Sequence, residues 1–263
     1  MKAMRWMMPL SAAITLLMSA SGSVSAREEE KDVQVYDTSD HPRLSLRNIN
    51  GGLTVEGWNK NRIEVTVVKR ASSKERLEDI KIESRMDNDH LRIEVDLEDD
   101  GNWSTRGESL NVEFTIRVPH GTRVDSVELV NGDIDIRNID GDVEVSSVNG
   151  EVSGEQLGGD VQLATVNGEV SLIATGDAES ISMNSVNGGV VLVLPRKFDA
   201  RIQAGTVHGS IRANGGFDVD ATTFSGSSMN ATIGKGGMKV DLNTVNGSIE
   251  IRREGEGGTK DRK

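Results

Sequence analysis

The second half of this chain repeats a tetrapeptide of the form [ST]-V-[NH]-G, at Ser147-Val148-Asn149-Gly150, Thr165-Val166-Asn167-Gly168, Ser185-Val186-Asn187-Gly188, Thr206-Val207-His208-Gly209 and Thr244-Val245-Asn246-Gly247. Looser copies stand at Leu129-Val130-Asn131-Gly132 and Thr223-Phe224-Ser225-Gly226, so successive glycines are 18, 18, 20, 21, 17 and 21 residues apart. A repeat of this length is one unit that cannot bury its apolar face alone and must stack on its neighbours. This constrains architecture far more than activity.

In the most regular stretch Gly132, Gly141, Gly150, Gly159 and Gly168 are nine residues apart, so two nonapeptides make one coil. The fourth residue of each unit is β-branched (Ile134, Val143, Val152, Val161, Val170) and the sixth is usually apolar (Ile136, Val145, Leu163, Leu172). The ninth is apolar in the first four units (Ile139, Val148, Leu157, Val166). This alternation predicts strands with one buried face, and it places the ninth residues inside. The Asn-Gly pairs are expected to supply corners with φ > 0.

The expected fold is therefore all-β, a parallel β-solenoid (β-helix-like) of about seven coils of 17–21 residues over 120–251, with a β-rich N-terminal cap over 27–119. Gly132, Gly150, Gly168, Gly188, Gly209 and Gly247 are its corner glycines. Asn131, Asn149, Asn167, Asn187 and Asn246 would form a ladder of side-chain amides, with His208 in an asparagine's place. The alternative is a meander with ordinary Asn-Gly hairpin turns, and a fixed period over six copies favours the solenoid.

Within the cap, alternating strands are expected at residues 33–36, 43–48, 53–57, 62–70, 81–86, 91–97 and 110–118, with a helical turn capped at Ser72 and a hairpin at Asp87-Asn88-Asp89. A cap is physically required, because the first coil would otherwise expose an unpaired edge. Residues 252–263, rich in charge and glycine, are expected to be a disordered tail.

Lys2 and Arg5 precede an apolar run from Trp6 to Met18 and the small residues Val24-Ser25-Ala26. This is the pattern of a secretory signal peptide over 1–26, the run being shorter than the roughly 20 residues of a membrane anchor. The expected destination is the periplasm, the cell envelope or the medium, with no integral membrane segment after signal removal. The chain has no cysteine, which excludes disulfides, thiolate metal sites and a cysteine nucleophile. Removing Lys2 and Arg5 takes the formal charge from −12 to −14, which argues against nucleic acid and anionic lipid as partners.

Acidic residues at the third repeat position, Asp133, Asp142, Glu151, Asp160 and Glu169, raise the question of a cation-binding repeat. The calcium-binding nonapeptide puts its ligand at the sixth position, here held by Ile136, Val145, Leu163 and Leu172, so a solvated face is the better reading. Catalysis of the polysaccharide-cleaving kind would need carboxylates at defined separation. The dense cluster Asp133, Asp135, Asp140 and Asp142 follows from the repeat itself, and His41, His90 and His120 fall in turns far apart in sequence. No catalytic, metal or cofactor residues are assigned. Trp58 is read as a packing residue, whereas Trp103 and Arg106 in a polar loop are the cap residues expected to touch a partner. Phe198, Phe217 and Phe224 are read as fillers of the wider coils.

Val191-Leu192-Val193-Leu194-Pro195, followed by Phe198, Ile202, Ala204 and Thr206-Val207-His208-Gly209-Ser210-Ile211, resembles the strand-Leu-Pro then Thr-x-x-Gly-Ser-Ile unit of the bacterial putative-adhesin domain of unknown function. Val118-Pro119 with Val124, Val127 and Leu129 to Gly132, and the turn Gly57-Trp58-Asn59, extend the likeness over residues 33–251. The resemblance implies an exported β-helical envelope protein, sometimes linked to envelope stress, and it brings no catalytic residues. The expected function is a non-enzymatic cell-envelope protein, an adhesin or binding scaffold that presents repeated polar faces to an envelope protein or polysaccharide. The alternatives are a polysaccharide-active β-helix enzyme and a cation-binding repeat protein.

Overall fold

The computed structural model describes residues 28–97, 110–214, 219–225 and 228–254. The expected leader, the loop with Trp103 and Arg106, and the tail beyond residue 254 lie outside the described residues. From the N-terminus come β1 (Glu28–Asp37), β2 (Arg43–Asn50), β3 (Leu53–Trp58), β4 (Arg62–Ala71), the short helix α1 (Lys74–Glu78), β5 (Ile80–Asp87), β6 (His90–Leu97) and β7 (Asn111–Pro119). Five strand pairs follow: β8 (Arg123–Asn131) with β9 (Ile134–Ile139), β10 (Val143–Asn149) with β11 (Val152–Leu157), β12 (Gly159–Asn167) with β13 (Val170–Ile173), β14 (Ala178–Asn187) with β15 (Val190–Leu194), and β16 (Ala200–His208) with β17 (Ile211–Ala213). A hairpin of β18 (Val219–Ser225) and β19 (Ser228–Ile233) precedes the last pair, β20 (Met238–Asn246) and β21 (Ile249–Arg253).

The strands form two sheets, one of ten strands in the order β1-β4-β7-β3-β9-β11-β13-β15-β21-β17 and one of eleven in the order β18-β19-β16-β20-β14-β12-β10-β8-β2-β6-β5. Each pair places its first strand in the larger sheet and its second in the smaller, turning between them at an Asn-Gly or His-Gly corner. Such a pair is one rung, and seven rungs stack. The core lies between the sheets. In rung β10–β11, for example, Val143, Val145, Val152 and Leu157 are at most 2% exposed. Burying side chains of this size stabilises by about 1.5–3 kcal/mol each.

The all-β class stands, but both sheets are mixed, so a purely parallel solenoid is not what forms. The pairs from β7 to β17 and from β6 to β16 are parallel, whereas β4 with β1 and β7, β5 with β6, and β19 with β16 and β18 are antiparallel. Antiparallel neighbours need only short turns, so hairpins finish both ends of a parallel stack. The β5–β6 turn has Asn88 at φ 46° and Asp89 at φ 63°, the left-handed pair that a two-residue hairpin requires. Tyr36 Oη, Gln34 Oε1 and Ser84 Oγ lie 2.5–3.0 Å from one another and tie β1 of one sheet to β5 of the other. The helix is capped by Ser73, whose Oγ accepts from the Arg76 amide at 3.4 Å, one residue later than expected, and its Leu77 is buried.

Three features of the stack differ from the sequence expectation. Residues 43–58, assigned to the cap, form a rung: β2 pairs parallel with β8 and β3 with β9, through a corner at Asn50-Gly51. Its lead-in is Asn48-Ile49 in place of Ser/Thr-Val, which hides it. Thr223 to Ser225 end strand β18, which runs antiparallel to β19 in the same sheet and so leads into no rung of its own. Arg252 and Arg253, assigned to the tail, end strand β21.

The rungs also do not stack in chain order. Rung β20–β21 lies between β14–β15 and β16–β17, in parallel register with both in the larger sheet. Rungs β16–β17 and β20–β21 share the corner motif, so the motif does not choose between the two places. The core residues do. Val240, Leu242, Ile249 and Ile251 fill the inner place at no more than 1% exposure, while the outer rung offers the smaller Ala204 and an exposed Ala213. Larger aliphatic groups bury more apolar area where both sides are covered.

This order is testable in a chain without native cysteine. Cα atoms on adjacent rungs are about 4.8 Å apart, within disulfide reach, and those two rungs apart are beyond it. Asn187→Cys with Asn246→Cys is expected to form an intramolecular disulfide under mild oxidation. Asn187→Cys with His208→Cys is expected to form none, as read by gel mobility and peptide mass.

Candidate functional site: the asparagine corner

Four neighbouring columns run the length of the stack where each rung turns from the larger sheet to the smaller. The first is a buried hydroxyl. Ser147, Thr165, Ser185, Thr244 and Thr206 donate to the carbonyl oxygens of Gly132, Gly150, Gly168, Gly188 and Gly247 on the neighbouring rung, at 2.8–3.0 Å. Leu129 holds this position on the second rung and cannot donate. There Asn48 of the first rung takes over, its Nδ2 lying 3.2 Å from Gly51 O and 2.8 Å from Val112 O. A buried carbonyl left without a donor costs about 1–3 kcal/mol, which explains why the position is Ser or Thr.

The second column is aliphatic and faces outward: Ile49, Val130, Val148, Val166, Val186, Val245 and Val207 in stack order, 39–62% exposed. The expectation that Val148, Val166 and Val186 point inside is therefore wrong. The ninth repeat position is buried only at the opposite corner, where Ile139 and Leu157 are at most 1% exposed. Strand alternation explains it, since the hydroxyl residue before each valine already points in.

The third column is the amide ladder. Asn131 Nδ2 donates to Asn50 Oδ1, Asn149 to Asn131, Asn167 to Asn149, Asn187 to Asn167 and Asn246 to Asn187, all at 2.8–2.9 Å. It includes Asn50, which lies outside the repeated tetrapeptides. The step from Asn187 to Asn246 follows the rung order, not the chain order. His208 is opposite Asn246 in register, and no side-chain hydrogen bond joins the two among the described residues.

The fourth column is glycine, and its reason is proximity. A Cβ on Gly150 would lie 2.1 Å from Gly132 O, and one on Gly209 would lie 1.8 Å from Gly247 O. Positive φ is not the cause at Gly132, Gly150, Gly188, Gly209 or Gly247. Among the Asn-Gly corners Gly51 of the first rung has a clearly positive φ, 122°, and left-handed backbone falls at the opposite corner, on Asn138, Gln156 and Gly159 with φ of 55–59°. At the Asn-Gly corner, hydrogen bonds such as Gly150 N to Asn167 O at 3.0 Å carry the backbone ladder around the bend.

The acidic residues at the two corners have partners of their own. Asp133 Oδ1 accepts from the Glu151 amide at 2.8 Å, and Asp142 Oδ1 from the Asp160 amide at 3.1 Å, so carboxylates here satisfy backbone donors of the next rung. Asp135 is paired with Arg137, and Asp142 Oδ2 is 3.5 Å from Arg123. Asp133 and Asp135 sit at one end of β9 and Asp140 and Asp142 beyond the other, so the sequence cluster is not one site. Among the described residues no group of three or more His, Asp or Glu is arranged to hold a metal ion. A cleft between the sheets near Gln34 and Ser84 measures about 110 Å³, and shallower, more open hollows of about 370 Å³ near Phe198 and Asp199 and about 630 Å³ beside Val207 and Val245 lie on the surface.

Trp58 donates through Nε1 to Arg62 O at 2.9 Å, and Lys60 and Arg62 lie 4.5 and 5.4 Å from its ring, which makes it a packing residue of the first rung. Phe198 packs against the core, and the side chains of Phe217 and Phe224 lie outside the described residues. His90, read as a turn residue, opens β6 and is buried, with Nε2 2.8 Å from Ser45 Oγ. Burial, and then the charges of Arg92 and Arg43, hold its pKa below the ordinary value.

Residues 123–252 match the Toastrack family, DUF4097. This span holds the regular repeats, and the first rung lies outside it. No curated protein matches the chain. Among solved structures, a putative cell adhesion protein from Clostridium sporogenes is similar at a TM-score of 0.52, with 14% identity over 86% of this chain and 100% of that one. A putative adhesin from Bacteroides fragilis and a putative lipid binding protein from Parabacteroides distasonis each give a TM-score of 0.35, with 11% identity over 84% of this chain and 96% of theirs. At these identities the likeness to the first is one of fold alone.

Two outcomes follow. Thr165→Val keeps the shape and leaves Gly150 O without its donor, so calorimetry is expected to show a loss of about 1–3 kcal/mol. His90 has a folded pKa below its unfolded value, so the neutral ring stabilises the fold above about pH 6.5 and that contribution is lost as pH falls through 6.5 toward the folded value. The melting temperature is expected to drop between about pH 7 and 5, and less so in His90→Gln.

Proposed function

We propose that this chain is a non-enzymatic cell-envelope protein, exported by its leader, that acts as an adhesin-like binding scaffold. Its central rungs serve as a short solenoid whose asparagine corner meets another envelope component. One observation carries this reading: six amides, from Asn50 to Asn246, stand in register on successive rungs and are bonded to each other along the stack. An amide has two N–H donors and two acceptor lone pairs, and an inner member of the ladder uses one of each. The second donor and lone pair of each remain for a ligand. Contacts that are individually weak then add because they are held at fixed spacing on one rigid object.

The reading is supported by the match to a domain family of unknown function and by the fold shared with a protein named for cell adhesion. No helix among the described residues is long and apolar enough to cross a membrane. The ion-paired and backbone-bonded states of Asp135, Asp133 and Asp142 favour neither hydrolysis nor cation binding.

Co-sedimentation of the chain from Arg27 onward with isolated envelope fractions and with purified envelope polysaccharide tests the proposal. Binding is expected to fall about two- to threefold for Asn149→Ser alone and more than about tenfold when Asn131, Asn149 and Asn167 are all replaced, because avidity multiplies across sites. No shortened or unsaturated sugar products are expected on long incubation. Equal binding by the triple variant, or appearance of such products, would overturn it.

A further inference from the structure

The outward aliphatic column has no role in the corner's hydrogen bonding, and its pattern is unusual. Ten large aliphatic residues are exposed among the described residues, and seven of them form this one unbroken row. Singly scattered surface valines need no explanation, whereas a contiguous apolar row does. It is about 29 Å long at a rung spacing of about 4.8 Å. One flank is the neutral amide ladder. The other, from the third rung on, is Ser146, Ala164, Asn184, Asn243 and Gly205, again without charge. On the first two rungs that flank carries Arg47 and Glu128, which neutralise each other at 3.2 Å. An otherwise acidic protein thus keeps one strip nearly free of net charge.

We propose that this strip is a self-docking surface, and that its occupant is the same strip on a second copy of the chain, running antiparallel about a two-fold axis through Val166. Spacing selects the partner. Same-face residues of an extended peptide recur about every 6.8 Å and lose phase with rungs about 4.8 Å apart within two steps, while a second stack keeps phase along its whole length. Val166 is the fourth of the seven residues, so it meets its own copy. Val148 then faces Val186, Val130 faces Val245, and Ile49 faces Val207. Two rows of equal spacing pack along their full length, as facing sheets do in dry interfaces.

Area sets the strength. The row is seven side chains long and one wide, each 39–62% exposed, which is well short of the roughly 800 Å² per partner of a standard interface. The pairing is therefore weak and concentration-dependent. Charge returns only one column beyond the neutral flank, where Glu144 and Asp241 stand in register with Gln162 and Ser182. Two copies of a chain with this acidic balance repel at long range, so added salt screens the repulsion and strengthens the pairing.

Sedimentation equilibrium of the chain from Arg27 onward, from about 1 μM to several hundred μM and at low and high salt, tests this. A monomer–dimer equilibrium is expected, with more dimer at high salt. Val166→Asp places two carboxylates against each other at the axis and is expected to weaken dimerisation about tenfold or more, while Val166→Lys does the same alone. An equimolar mixture of the two is expected to recover a heterodimer, because residue 166 faces itself only across this axis. Val166→Thr, nearly isosteric, provides a milder variant whose fold is checked by its melting curve. A chain that stays monomeric throughout, a dimer indifferent to Val166→Asp, or a mixture that fails to pair would each overturn the proposal.

Discussion

Successive backbones at the Asn-Gly corner approach so closely that no side-chain carbon fits between them. At Gly150 a Cβ would stand 2.1 Å from the carbonyl oxygen of Gly132, and the same contact recurs from Gly132 against Gly51 to Gly209 against Gly247. A carbonyl so enclosed needs a donor, and the buried hydroxyl of the next rung supplies it. The short tetrapeptide is thus a set of four assignments. Serine or threonine satisfies the neighbour's carbonyl, valine extends the strand outward, asparagine continues the amide ladder, and glycine permits the approach.

These assignments leave different resources on the outside. The amides retain hydrogen-bonding capacity in a row of fixed spacing, and the valines retain apolar area in a parallel row beside it. Acidic side chains, which dominate the net charge, are partly engaged with backbone amides of the next rung and with arginines. A surface of this kind suits recognition by repetition better than a chemistry that needs one enclosed pocket. The two ends follow a separate rule. The larger sheet changes from parallel to antiparallel pairing at both ends and the smaller sheet at its β1 end, and the edge strand β1 opens with Glu28, Glu29, Glu30 and Lys31, charges that discourage further pairing.

Much of the stack is legible in the sequence because hydrophobic periodicity and turn chemistry agree. The buried rows through Val143, Val161 and Val170, and the ladder from Asn131 to Asn187, follow from the nonapeptide alone. What is not legible depends on nonlocal competition. The rung at 43–58 is hidden because an amide, Asn48, stands where the later rungs carry a serine or threonine and does the hydroxyl's work. The inward insertion of β20–β21 is matched by side-chain volume in the smaller sheet, the buried Ile251 against Ala213 on the edge strand β17, which a motif shared by both rungs does not express. Val148 misleads because a β-branched residue in a strand looks like a core residue, although the polar residue before it makes the buried contact. The corner glycines are recognisable from the repeat, but their shared reason is not, since from Gly132 to Gly247 it is proximity to the neighbouring rung that excludes a side chain.

The most direct test of this account is amide hydrogen exchange at the corner glycines, resolved residue by residue by NMR. Gly132, Gly150 and Gly168 donate their amides to the Asn149, Asn167 and Asn187 carbonyls of the next rung at 2.9–3.1 Å. They are therefore predicted to exchange as slowly as the buried strand amides of Val145 and Leu163. Fast exchange at these three glycines beside slow exchange in the strands would mean open turns rather than stacked corners, and would contradict it.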